Sequence, residues 1–157
     1  MGVVNVSSEY FDEKVNVGDG YVLNYAKAVS AGSAVTVVIT TPATTKVKMK
    51  AIVDSTQGGI WAISESASVS AGSALTVYNK QRGSSKTSGI VAVGTPTITS
   101  LGNTIESHYM GSTGTGLRTA SVSELYVLAT ATSYMVYFTS NATSTYCSIT
   151  LAMTTEV

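Results

Sequence analysis

The chain reads as an all-β protein, a jelly-roll-like antiparallel β-sandwich behind an extended N-terminal arm, and three observations predict that class. The first is strict alternation. In TKVKMKAIVD (residues 45–54), Val47, Met49, Ala51 and Val53 alternate with Lys46, Lys48 and Lys50, and at a period of two such sets point to opposite faces of a strand. The second is composition: Val, Thr and Ser are abundant and nine Tyr accompany a single Trp. β-Branched and aromatic side chains suit a pleated, half-buried surface. The third is punctuation. Gly18-Asp19-Gly20, Gly58-Gly59, Gly83-Ser84-Ser85 and Ser140-Asn141-Ala142 carry turn chemistry and separate strand candidates spaced about ten residues apart.

Taken in order, residues 1–19 form the arm and residues 20–157 the sandwich domain. The arm mixes Val3, Val4, Val6, Tyr10 and Phe11 with Glu9, Asp12, Glu13 and Asp19. It reads either as an extended segment gripping a partner or as a first strand with a loose start. Strands are expected at 20–28, 33–40, 45–54, 60–66, 74–80, 90–99, 103–110, 123–129 and 134–140. A last one is expected in YCSITLAM, where Cys147, Ile149, Leu151 and Met153 share a face. That alternation makes Cys147 a core residue rather than a reactive thiol. No segment holds a helical period over three turns. VSAGSAVTV (29–37) recurs as VSAGSALTV (69–77), which reads as one turn-plus-strand device used twice. Gly32 and Gly72 supply its turn geometry ahead of an inward-facing strand, and two such entries suit a double-sheet sandwich.

The 157 residues carry no net charge, and charged residues are only 11%, against about 25% in ordinary soluble domains. So little charge leaves the surface open to association, and a partner is expected to cover part of it. Without a basic field, nucleic acid and anionic membranes are not expected partners. The charge is uneven: the arm is acidic, whereas 27–86 holds most of the Lys and Arg. The two regions can pair within the chain, or the arm can dock on another protein. A single cysteine excludes an intrachain disulfide. The start MGVVNVSSEYFDEK has no basic lead or sustained apolar run, so assembly in the cytoplasm is the expectation.

No catalytic, cofactor or metal set is legible, and the expected function is not enzymatic. His108 is the only histidine, and no local motif gives it a partner. Zinc would need carboxylates beside one His and one Cys. The carboxylates are few and scattered, and a glycosidase pair such as Glu65 with Glu106 or Glu124 is geometrically possible but has no motif behind it. GSTGTG (111–116) is followed by Leu117-Arg118 where a phosphate-binding loop needs Lys and Ser or Thr. The Lys46/Lys48/Lys50 stripe reads as a solvated face. Lys80, Arg82 and Lys86 crowd the loop NKQRGSSKTSG, which reads as a contact loop.

Three blocks carry a resemblance. ALTVYNKQRGSSKTSGIVAVGTPTIT (74–99), VVITTPATTKVKMKAIVD (37–54) and ELYVLATATSYMVYFTSNATS (124–144) resemble segments of small structural proteins of tailed bacteriophages, over roughly residues 30–153. The resemblance implies a capsid decoration or cement protein: a jelly-roll-like sandwich, commonly trimeric, set on the major capsid protein at the virion surface. Contact candidates are Tyr10, Phe11 and Val15 in the arm, Tyr78, Asn79, Lys80, Arg82 and Lys86 in one loop, and Leu117 and Arg118 beyond the other. A different class, a fibre or spike module binding host glycans, would use tyrosines and Trp61 as stacking platforms.

Overall fold

A computed structural model describes residues 6–111, 118–121, 125–143 and 145–156. Its elements are α1 (Val6–Asn16), β1 (Gly20–Val29), β2 (Ala34–Thr40), β3 (Lys46–Ser55), β4 (Gly59–Glu65), β5 (Ser68–Ser70), β6 (Ser73–Leu75) and β7 (Tyr78–Asn79). They continue with β8 (Val91–Gly94), β9 (Thr97–Ser100), β10 (Asn103–Met110), β11 (Arg118–Ser121), β12 (Tyr126–Leu128), β13 (Ser133–Ser140) and β14 (Thr145–Glu156).

The chain is an antiparallel β-sandwich. One sheet runs β11-β3-β14-β1-β7, with β12 also on β3, and the other runs β10-β4-β13-β2-β8-β6. The pairing follows a simple rule. The first four strands pair with the last ones in reverse order: β1 with β14, β2 with β13, β3 with β12 and β11, and β4 with β10. The described strands therefore make one long antiparallel ribbon, with β5–β9 inserted at its tip. Successive strands of the first half cross from one sheet to the other, so the ribbon folds over and closes through β3–β14 and β4–β13.

Alternation builds the core. Val47, Met49, Ala51 and Val53 point inward from β3, and Cys147, Ile149, Leu151 and Met153 point inward from β14. They meet Trp61, Ile63 and Phe138 of the facing sheet. β2 is buried almost throughout because that sheet is covered on both sides. A second small cluster of Val38, Ala67 and Met135, packed by Val69, Val93 and Tyr137, lies on its outer face. Val69 belongs to the β5–β9 hairpin, which forms its own two-stranded sheet there.

The structure corrects several expectations. The arm is not extended: Val6–Asn16 is a helix of 11 residues. Tyr10, Phe11, Lys14 and Val15 are half-buried, while Glu9, Asp12, Glu13 and Asn16 face outward, which is the spacing of a helix lying on a surface. It ends in a glycine cap. Gly18 has φ +80°, Gly18 N–H donates to Val15 O at 3.1 Å, and Asp19 N–H donates to Lys14 O at 2.8 Å, the paired bonds of a left-handed C-terminal cap. The expected strand 90–99 breaks into β8 and β9 around Thr95 (φ +47°) and Pro96, and 74–80 breaks into β6 and β7. The repeated nonapeptide keeps its turn, with Gly32 and Gly72 both at positive φ, but not its burial. Val35 and Val37 are core residues, whereas Leu75 and Val77 are only partly buried, because β6 lies at the sheet edge.

Candidate functional site

The outer face of the β1–β14–β3 sheet carries α1 across one end. The Tyr10 hydroxyl donates to the Glu156 carboxylate. Lys48 Nζ lies 2.8 Å from Glu156 Oε1, 3.1 Å from the Tyr10 oxygen and 4.3 Å from its ring centroid. The Lys48 ammonium, with the Tyr10 hydroxyl, holds the Glu156 carboxyl below its ordinary pKa. Glu156, then Tyr10, hold Lys48 above its own. Val15 lies directly over Gly20, where a Cβ would come within 2.5 Å of its side chain and 3.0 Å of its backbone. Gly20 is thus the seat of the helix.

The last turn of α1 is tied to the basic loop. Asn79 Nδ2 donates to Gly18 O at 2.8 Å, and Gln81 Nε2 donates to Asn16 O at 2.9 Å. Lys86 Nζ pairs with Asp19 Oδ1 at 2.9 Å. One acidic residue of the arm is therefore paired within the chain, while Glu9, Asp12 and Glu13 remain exposed. Arg82 lies 5.4 Å from the ring centroid of Tyr78, which is 51% exposed, as is Val17.

Tyr10, Phe11, Val15, Tyr78, Asn79, Lys80, Arg82 and Lys86 thus gather at one end of the sandwich, in two roles. Tyr10 and Val15 face the sheet and hold the helix, with the half-buried Phe11 edge-on to Tyr10; Asn79 and Lys86 hold the loop. Tyr78, Lys80 and Arg82 face solvent. Arg118 stands apart, opposite Ser55 at the other end of β3, and Leu117, with 112–116, lies outside the described residues.

A second polar cluster lies at the far end of the other sheet, on β10. His108 is stacked on Trp61, with centroids 5.1 Å apart and planes at 21°, and its Nε2 lies 2.5 Å from Glu106 Oε1. The Tyr126 hydroxyl donates to the other Glu106 oxygen. Glu65 is held instead by the Tyr134 hydroxyl at 2.7 Å, and Glu124 lies outside the described residues. Sequence reasoning gives His108 no partner and misses Glu106; the signal that could have found it is that residues two apart on a strand share a face. Trp61 is 2% exposed and its indole N–H has no hydrogen-bond partner among the described residues, so it offers no face to a sugar. The exposed aromatic beside a hollow is Tyr146, 66% exposed, at a groove of about 320 Å³ lined by Ala26, Ala28, Asp54 and Ser148. Among the described residues no three His, Cys, Asp or Glu come together to hold a metal, and no helix is long and apolar enough to cross a membrane.

No family model, curated protein or solved structure matches this chain.

Proposed function

We propose that the protein is a non-catalytic virion component that decorates an assembled phage capsid, binding the major capsid protein as an oligomer and stabilising the shell. The observation that carries this is the helix-and-loop platform. Tyr78 and Arg82 project from a loop whose backbone is held by Asn79, Gln81 and Lys86, so an aromatic–guanidinium pair is presented with little ordering left to lose on binding. Tyr and Arg are the side chains that most often dominate protein interfaces. The acidic face of Glu9, Asp12 and Glu13 beside it adds charge that sets orientation. The reverse-order pairing of the ribbon supports the jelly-roll reading, since folding such a ribbon over itself generates that double-sheet form. Binding the assembled shell and not its free subunits stabilises the shell by linkage. Electron cryomicroscopy of the native particle tests the proposal: density for this sandwich on the capsid surface supports it, and its presence in a tail fibre or absence from the particle overturns it.

The Tyr146 groove favours a second reading, a glycan-binding module. An exposed ring beside a carboxylate and hydroxyls suits a sugar's apolar face and polar rim. Hits on a glycan array that vanish in Tyr146→Ala would favour it.

A further inference from the structure

We infer that β10 is a self-association edge, at which two copies of this chain pair antiparallel about a two-fold axis through Ser107. The inference stands apart from the capsid proposal. It starts from an open edge: β10 pairs with β4 along one side, and no described strand pairs along the other. On that outer side every other residue leaves its backbone N–H and C=O without a strand partner, a template for another strand. The strand also exposes apolar side chains. Tyr109 is 86% and Ile105 42% exposed, with Ile105 at a bulge in the register against β4.

The occupant follows from the order of side chains. In Ile105-Glu106-Ser107-His108-Tyr109, an apolar residue, an acid and a base, and another apolar residue are set symmetrically about a serine. An antiparallel copy in the register that places Ser107 opposite Ser107 sets each Glu106 opposite the other copy's His108. It also sets each Ile105 opposite the other copy's Tyr109. Directly opposite side chains are within reach of each other. Glu106 and His108 both point toward the sandwich interior side, where His108 stacks on Trp61 and Glu106 accepts from Tyr126. A carboxylate has about four acceptor positions, so Glu106 keeps the Tyr126 hydroxyl while the imidazole N–H groups of the two copies are shared between the two carboxylates across the axis. Inward-facing polar groups deter pairing with an unrelated apolar strand. Only a strand carrying the same pattern in reverse converts those groups into complementary contacts, and a second copy of β10 is such a strand. The pairing joins two six-stranded sheets into one continuous sheet and makes an even-numbered assembly, in place of the three copies that the phage resemblance implies.

Light scattering and sedimentation equilibrium on the purified full chain test this over a concentration series. The expected mass rises from one copy to two. Tyr109→Lys, at a position too exposed to disturb folding, weakens the pair by about tenfold or more. Glu106→Lys alone and His108→Glu alone also weaken it: the first takes the carboxylate acceptor away from the facing imidazole, and the second sets two carboxylates against each other across the axis. Mixing those two variants restores pairing, since the introduced lysine then faces the introduced glutamate while the native Glu106 and His108 face each other. Ser107→Cys forms a disulfide-linked pair on mild oxidation, because a residue on the axis meets itself; Ser100→Cys, exposed on β9, does not. Circular dichroism melts identify any variant that fails to fold, and the Tyr109→Lys and Ser107→Cys results decide the matter without the charge variants. A chain that stays monomeric throughout, a three-copy mass, or a pair indifferent to Tyr109→Lys overturns the inference.

Discussion

The hydroxyl of Tyr10 donates to the carboxylate of Glu156, a residue 146 positions away. This bond closes the N-terminal helix onto the last strand of the ribbon, with Lys48 of β3 against both. The helix Val6–Asn16 is therefore packed onto the sandwich, and the loop carrying Tyr78 and Arg82 is braced against its last turn.

Tyr10→Phe keeps the ring beside Lys48 and removes the hydroxyl. We expect a loss of about 1 kcal/mol, the scale of a hydrogen bond to a charged group at a part-exposed site, together with faster amide exchange over residues 9–16. Urea unfolding and hydrogen exchange measure both. Unchanged values would show that the triad does not hold the helix.

The triad also fixes a pH window. The carboxyl of Glu156 is lowered in the folded chain, so its contribution is complete above the ordinary carboxylate pKa of about 4.3 and is lost as pH falls through the lowered value. Lys48 is raised, so its contribution is complete below about 10.4 and is lost as pH rises through the raised value. The stability difference between the natural chain and Glu156→Gln should be flat between about pH 5 and 10 and shrink below about pH 4. A difference that grows on acidification would contradict the assignment.

Much of this arrangement is legible in the sequence, for a physical reason. Strands such as Lys46–Ser55 announce themselves through a local period of two, and the turns through glycine. What pairs with what is not local: β1 meets β14 across the whole chain. The helix escapes a sequence reading because the buried stripe of its described side chains is Tyr10, Phe11, Lys14 and Val15. Just two turns long and partly cationic, it needs the outer face of a sheet to make sense. Trp61 misleads for a related reason, since WAIS becomes buried on both faces only once other strands cover it. At the platform, the residue types pointed to contact, but the division between those that hold the structure and those that face solvent required the fold.

Thr154 is fully buried on the outer face of β14, opposite Gly20 and Lys48, and its hydroxyl has no hydrogen-bond partner among the described residues. Replacing it with a valine of the same shape removes an unsatisfied group. Thr154→Val should be neutral or stabilising by up to about 1 kcal/mol in urea unfolding. A loss of more than about 1 kcal/mol would mean that the hydroxyl is engaged.

Burial, with the charge of Asp54 adding to it, pushes the Cys147 thiol up to about 12. The nucleophile in thiol chemistry is the thiolate. The folded chain should therefore resist an aromatic disulfide reagent at pH 8 and react fully once unfolded in urea. Rapid labelling of the native protein would place Cys147 at an accessible site and contradict its core position.

The most direct test of the capsid proposal is co-sedimentation of the purified protein with assembled, undecorated shells of the phage that, on this proposal, encodes it. The account predicts saturable binding that Tyr78→Ala and Arg82→Ala each weaken by about thirtyfold while leaving the melting temperature unchanged. Failure of the natural chain to bind such shells, or undiminished binding by both variants, would contradict it.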